Sequence, residues 1–311
     1  MDPLHVMGVF VAVVDTGGFA AAARKLGMSP PAVTRAINEL ESQLAVRLLT
    51  RTTRVVRVTE AGMRYAEDGR RILAAVQEAG ESARGLHGAP RGRLVVTAPA
   101  MFGALFVTPL VTDYLQRYPD SSASCWFMDR VVNMLEEGID VAVRIGELPD
   151  SSLQAVRVGH VRRVICASPG YLAARGTPQS ADDLAQHTVI AANRVTPTVE
   201  WRLREAGTLR SIKLQPRLTM SANDAARTAA LAGFGLTRLL SYQVLEPLRD
   251  GTLVPVLQDL EPEPLPVHVV HHEGRHATQK VRAFLDLAID ALRANPALQQ
   301  PGRERPQTEG Q

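Results

Sequence analysis

Apolar positions in the first sixty residues follow two different periods. Leu4–Asp15 carries them at helical spacing, Gly17-Gly18 interrupts the pattern, and Phe19–Leu26 resumes it. A tight turn at Gly27-Met28 precedes a third helix, from Pro30 to about Leu44. Ser29 is placed to cap that helix, and Pro30 and Pro31 are tolerated in its first turn. Arg47–Thr50 and Val55–Val58 then alternate as strands do, with Arg51-Thr52-Thr53-Arg54 turning between them. Helix, glycine-containing turn, helix and a β wing predict a winged helix-turn-helix over residues 1–60.

Residues 61–90 read as one linker helix. Tyr65, Gly69, Ile72, Val76, Ala79, Ala83 and Leu86 are spaced 4, 3, 4, 3, 4 and 3 apart, an a/d seam at a 3.5-residue period. A helix between two domains has little of its own to pack on, so Tyr65, Ile72, Val76, Ala79, Ala83 and Leu86 are expected to join two copies of the chain. The breaker cluster Gly88-Ala89-Pro90-Arg91-Gly92 then marks a boundary.

Beyond it, short β-rich runs alternate with helical ones as far as residue 295. Leu94–Ala98, Ala123–Phe127 and Ile139–Ile145 read as strands, and about Gly103–Tyr118 and Val131–Glu137 as helices. A second such set has strands near Val161–Ala167, Thr188–Ala192 and Arg217–Met220, with helices near Pro169–Ala174, Ala181–Ala185 and Asn223–Ala232. Pro266–His272 and a helix at Thr278–Leu292 return to the first set. The alternation implies two α/β lobes with mostly parallel sheets, lobe I over about 91–162 and 267–295 and lobe II over about 163–266. Their cleft is the default place for a small ligand. Residues 296–311 are polar and proline-rich, as in a disordered tail.

Composition narrows the function. The chain has 311 residues, 45% of them hydrophobic and 22% charged, an ordinary globular mix. The net charge of +3 says little, but its distribution says more. Between Arg24 and Arg57 lie Arg24, Lys25, Arg35, Arg47, Arg51, Arg54 and Arg57, against Glu39 and Glu41 alone. A basic surface on a helix-turn-helix is the footprint of a DNA reader, and a symmetric dimer suits a palindromic site. No run reaches the roughly 18 apolar residues of a membrane span, and no signal peptide is evident, so a cytoplasmic protein is expected. Cys125 and Cys166 lie in apolar runs and read as buried structural thiols in a reducing compartment.

The order of elements, with Phe19-Ala-Ala-Ala-Ala-Arg-Lys-Leu26, Ser29-Pro-Pro-Ala-Val-Thr-Arg-Ala-Ile-Asn-Glu-Leu-Glu41, Leu44-Ala-Val-Arg-Leu-Leu-Thr-Arg-Thr-Thr-Arg54 and Val58-Thr-Glu-Ala-Gly62, resembles the LysR-type transcriptional regulators. Gly92-Arg-Leu-Val-Val-Thr-Ala-Pro99, Tyr118-Pro119, Asp140-Val-Ala-Val-Arg-Ile-Gly146, Cys166-Ala-Ser-Pro-Gly-Tyr-Leu172 and Lys280-Val-Arg-Ala-Phe-Leu285 extend the likeness to about residue 293. Ala45 and Leu49 stand where the family usually has Gly and Phe. Pro31 removes a backbone donor at a position often Ser or Ala.

The resemblance implies an α+β multidomain regulator, with the winged domain, the linker helix and a two-lobed effector domain of the periplasmic-binding-protein type. It implies a homodimer or a dimer of dimers that binds double-stranded promoter DNA, responds to a small effector and acts on RNA polymerase. It carries DNA contact to Ser29, Pro30, Thr34, Arg35 and Asn38 on the recognition helix and to Arg51, Thr52 and Arg54 on the wing. Arg35 and Asn38 suit base edges, Ser29, Thr34 and the wing arginines suit phosphates, and Arg51 or Arg54 alternatively suits the minor groove. Effector contact falls on Ala98, Pro99, Ala100, Met101, Arg144 and Asn223. Helix-start amides and the guanidinium groups of Arg144 and Arg238 favour an anionic effector.

Other signals are set aside. His271, His272, Glu273 and His276 read as a solvated loop, Gly233-Phe234-Gly235 as a helix end, and Trp201 as a packing residue. No metal site, cofactor motif or catalytic constellation emerges, so an enzyme is not expected. The competing class is a two-lobed metabolic enzyme or ligand-binding module with a non-specific basic N-terminal domain.

Overall fold

In the computed structural model, which describes residues 2–51, 56–83, 89–148, 153–192, 198–272 and 277–299, the chain divides into two units, Met1–Gly88 and Ala89–Gln311. The first opens with helices α1 (Pro3–Thr16), α2 (Phe19–Leu26) and α3 (Pro30–Leu44). Gly17 and Gly27, both at positive φ, close α1 and α2. Val33, Ala36, Ile37 and Leu40 of α3 are buried against Val9, Phe10 and Val13 of α1 and Ala22 and Ala23 of α2. That i, i+3, i+4, i+7 spacing fixes which face of α3 looks outward.

Strands β1 (Leu49–Arg51) and β2 (Val56–Val58) pair antiparallel as the wing, and α4 (Glu60–Ala83) follows. Thr59 joins wing to helix: its Oγ1 donates to the Arg47 and Leu48 carbonyls and accepts from Gly62 N at 3.0 Å. A Cβ at Gly62 would stand 2.1 Å from the Leu48 carbonyl oxygen, so only glycine permits this approach.

The second unit holds two five-stranded sheets. Lobe I is built from β3 (Gly92–Ala98), α5 (Ala100–Phe102), a π turn at Gly103–Val107, α6 (Thr108–Arg117), β4 (Ser121–Phe127), β5 (Val141–Ile145) and β6 (Gln154–Val161). Lobe II follows with β7 (Arg163–Ala167), α7 (Pro169–Arg175), β8 (Val189–Ala192), β9 (Val199–Glu205), β10 (Thr208–Leu214), β11 (Leu218–Met220), α8 (Asn223–Leu231), β12 (Leu236–Leu240), α9 (Leu245–Arg249) and β13 (Val254–Val256). The chain returns to lobe I through β14 (Leu265–His271) and α10 (Gln279–Arg293).

Strand order is β4-β3-β5-β14-β6 in lobe I and β11-β8-β12-β7-β13 in lobe II, with β9 and β10 a separate hairpin. In each sheet four strands run one way and one runs against them, β14 in lobe I and β7 in lobe II. The two crossings run side by side: Arg162 Nη1 meets Glu261 Oε2 at 2.6 Å, and Ser241 N donates to the Arg162 carbonyl at 2.8 Å.

Several expectations need correction. Val131–Glu137 is not helical. Asn133 Oδ1 accepts from the amides of Leu135 and Glu136, and Arg130 pairs with Glu137, so side chains replace the helix ladder. The apparent strand Val161–Ala167 is two strands in different sheets, broken at Arg162. Ala181–Ala185 is a 3-10 turn at Asp182–Gln186. The β9–β10 hairpin, unread in the sequence, buries Trp201 and Leu203 against Leu236 of β12. Cys166 is buried, whereas Cys125 is exposed on the edge strand β4. Pro296–Leu298 forms a 3-10 turn with Leu298 fully buried in lobe I, so the start of the expected tail is part of the fold. Residues 300–311 lie outside the described residues.

Candidate functional site

The outward face of α3 is what its buried stripe leaves over. Pro31, Arg35, Asn38 and Ser42 are exposed at i, i+4, i+7 and i+11, a single stripe along the helix. Arg35 makes no ion pair among the described residues. Ser29 occupies the N-cap position, but its side chain makes no capping bond. The cause is local: Pro30 and Pro31 lack N–H groups, and Ala32 N already donates to the Ser29 carbonyl at 2.9 Å. The exposed Ser29 hydroxyl is therefore left pointing outward beside Pro30, with Thr34 half-buried one turn on.

Arg24, Lys25, Arg47 and Arg57 are also exposed. Of Arg51 the structure describes the backbone in β1; Thr52 and Arg54 lie outside the described residues. Glu41, counted above as one of two acids, is not a surface charge opposing this field. Its Oε1 accepts from Leu48 N at 2.7 Å and Leu49 N at 2.9 Å, so it ties α3 to the wing. Ala45 ends α3 with φ 51°, the left-handed conformation that the family's usual glycine adopts freely.

The linker seam divides. Tyr65 packs edge-on against Phe10, with ring centroids 5.5 Å apart, and a Cβ at Gly69 would stand 3.0 Å from Met7. These two positions serve their own unit. Ile72 and Val76 are 42% and 48% exposed, uncovered apolar residues on α4. The side chains of Ala79 and Ala83, and all of Leu86, lie outside the described residues.

In the second unit, the starts of α5 and α8 meet across the two lobes. Ala100 N donates to Asp129 Oδ1 at 3.0 Å, and Asn223 Nδ2 donates to Asp129 Oδ2 at 3.4 Å. Pro99 is half-buried beside them, while Ala98 and Met101 belong to the lobe I core. Behind them Tyr242 packs against Phe102 and Phe106, with ring centroids 5.4 and 5.8 Å away, and burial pushes its hydroxyl pKa up. Arg227 Nη1 donates to the Gln243 carbonyl at 3.1 Å, tying α8 to the residue next to Tyr242.

The two arginines expected here are otherwise engaged. Arg144 Nη2 donates to the Val132 carbonyl at 2.8 Å and holds the 131–137 loop. Arg238 donates to the carbonyls of Glu200 and Arg202 on β9 and stacks 5.3 Å over Trp201. Burial lowers the pKa of both, that of Arg238 to about 10 with nearby Arg163 adding to the effect.

Residues 4–63 match the family model for bacterial regulatory helix-turn-helix proteins of the lysR family, and residues 87–293 match the LysR substrate binding domain. The chain belongs to the LysR-type transcriptional regulators. This LysR-type regulator is 33% identical over 288 residues to the HTH-type transcriptional regulator CrgA of Neisseria meningitidis serogroup C (strain 8013), across 92% of this chain and 96% of CrgA. It is 33% identical over 301 residues to an HTH-type transcriptional repressor of Pseudomonas aeruginosa (strain UCBPP-PA14), across 96% and 95% of the two chains. The solved structure of the Neisseria meningitidis CrgA superposes with a TM-score of 0.61 at 32% identity, covering 94% of this chain and 99% of that one.

The LysR-type regulator therefore carries a helix-turn-helix DNA-binding domain and a substrate-binding effector domain. Two of its site residues escaped the sequence reading. Glu41 looked like a stray acid, and only the amides of Leu48 and Leu49 reveal its role. Asp129 follows a strand in a run without a motif, and nothing local announces that it bridges two lobes. His271 is buried and His272 half-buried on the way out of β14; Glu273 and His276 lie outside the described residues. No group of three metal-ligating side chains forms among the described residues, and no described helix is long and apolar enough to cross a membrane.

Proposed function

We propose that the regulator works in the cytoplasm as a homodimer, or a dimer of dimers, that reads a dyad in promoter DNA and influences RNA polymerase there. Arg35 and Asn38 enter the major groove and read base edges. Ser29, Pro30 and Thr34, with Arg51, Thr52 and Arg54 of the wing, meet the sugar-phosphate backbone and set the register. The observation that carries this reading is the exposed stripe Pro31, Arg35, Asn38 and Ser42, opposite the buried stripe of α3. Ile72 and Val76 lie in the seam between the two copies, continued by Ala79, Ala83 and Leu86.

The effector occupies the cleft at Pro99, Ala100 and Asn223. Support for an anion is the seat of Asp129, whose carboxylate already takes the Ala100 amide and the Asn223 side chain. An anionic effector takes that seat in place of Asp129, and the angle between the lobes changes about Arg162 and Ser241. Arg144 and Arg238 shape the lobes and leave the charge to these donors.

Sequencing the genomic fragments retained by the purified protein at physiological salt tests the reading. A short set of sites sharing a dyad is expected. Random fragments that wash off with salt would reject sequence-specific binding. Val76→Asp should give a monomer by light scattering, and a dimer that survives it would move the seam elsewhere on the chain.

A further inference from the structure

Lobe II has a basin that the cleft does not use. It lies between the start of α7, the Leu231–Phe234 turn after α8 and the Gly251-Thr252 turn after α9, with a volume of about 810 Å³. We propose that it is a second ligand site, for a small organic anion with a planar apolar body, such as an aryl carboxylate. The inference goes beyond the cleft reading and does not depend on it.

Charge is the first argument. Arg175 and Arg217 line the basin, and among the described residues no Asp or Glu does. Both arginines are exposed, and neither forms an ion pair among the described residues. The nearest acid in sequence, Asp250, turns its Oδ1 to Thr252 N and Oγ1 at 3.0 and 2.6 Å. The basin therefore presents two uncompensated guanidinium groups, which suit a carboxylate gripped by two parallel N–H donors.

The apolar surface is the second. The Arg217 guanidinium lies 5.5 Å from the Phe234 ring centroid, and that ring is 39% exposed. Leu231 beside it is 38% exposed. A stacked guanidinium keeps its edge donors free while the ring and Leu231 offer a surface for a flat apolar group.

The floor is built and mostly satisfied. Tyr171 Oη accepts from Thr188 N at 2.9 Å and shares a hydrogen bond with His187 Nδ1 at 3.1 Å. Ser168 Oγ accepts from Tyr171 N at 3.3 Å, which leaves its hydroxyl proton for a ligand oxygen. The volume falls within the roughly 300–1,000 Å³ of small-molecule pockets.

The basin is separate from the cleft. Asn223 opens α8 at the cleft and Leu231 closes it at the basin. At about 1.5 Å per residue the two sites are about 12 Å apart along one helix. A ligand in the basin braces the far end of the helix whose near end faces the effector.

Calorimetric titration of the full chain with benzoate, and with acetate as the charge-only control, tests the proposal. Benzoate should bind at least about tenfold tighter than acetate, and the double substitution R175Q/R217Q should weaken benzoate at least about tenfold. Both arginines are exposed, and an unchanged melting temperature checks that the variant folds. Asn223→Ala should leave benzoate binding unchanged. Crystals soaked in 4-bromobenzoate should place the bromine in the basin. Equal affinity for benzoate and acetate, or full binding by the arginine variant, would overturn the proposal. Binding lost in Asn223→Ala but kept in R175Q/R217Q would overturn it too, while supporting the cleft as the effector site.

Discussion

The arginines of the two units behave in opposite ways. On α3 the burial of Val33, Ala36, Ile37 and Leu40 forces Arg35 outward, where it makes no ion pair among the described residues. In the effector unit Arg144 and Arg238 reach sideways to backbone carbonyls and hold a loop and a hairpin in place. In the proposed reading, the same residue type is a reading head in one unit and a strut in the other. What separates them is the element each sits on. A helix with one buried face must expose the opposite one, whereas a strand between two layers sends both of its faces into the protein.

The largest effect should come from the contact that holds wing to linker. Gly62→Val puts carbon where the Leu48 carbonyl stands and should cost about 3 kcal/mol of stability in the DNA-binding unit. Amide exchange should accelerate in α1–α3 while lobe I and lobe II stay protected. Arg35→Ala and Arg238→Met then set the two arginine roles side by side. The first should weaken operator binding by about 1–3 kcal/mol, read by titration on DNA, with the melting temperature unchanged. The second should do the reverse, lowering stability by about 1–2 kcal/mol as Trp201 loses its cation and the β9 carbonyls lose their donor. If Arg238→Met abolished DNA binding at full stability, the division into reader and strut would fail.

Ala45→Gly should stabilise the DNA-binding unit by about 1 kcal/mol, because Ala45 is held at φ 51°. A shift of the urea midpoint checks it. The smallest effect is with pH. Burial holds His187 below its ordinary value near 6.5, so the unfolded chain binds that proton more readily than the folded one. Stability should therefore be complete above about pH 6.5 and decline below it. His187→Gln should flatten part of that decline in thermal melts; His268 in lobe I, shifted the same way by burial, supplies another part. A slope identical in the variant would remove His187 from the account.

Legibility followed the same divide. The helical register of residues 4–44 exposed both the core and the outward face of α3, since a 3.6-residue period assigns each position a side. Glu41 escaped because its partners, the amides of Leu48 and Leu49, come from the next element. In the effector unit the alternation of strands and helices announced two lobes, but not the β9–β10 hairpin, whose polar outer face resembles loop. Val131–Glu137 misled because its composition is helical while Asn133 and the Arg130–Glu137 pair fold it otherwise. Asp129 was illegible in principle. Its meaning depends on Ala100 and on Asn223, 94 residues away in the chain.

The position of β14 has a consequence for how the chain is made. It lies between β5 and β6 in the lobe I sheet, yet it leaves the ribosome after all of lobe II. At about 5–20 residues per second, the roughly 100 residues between β6 and β14 take several seconds to emerge. Throughout that interval the nascent lobe I sheet has a gap between β5 and its edge strand β6, and both present unpaired edges. Lobe II is contiguous and can close first. Order of birth and order of completion are thus inverted: the lobe begun first finishes last, and its exposed edges make that interval the time of greatest need for a chaperone.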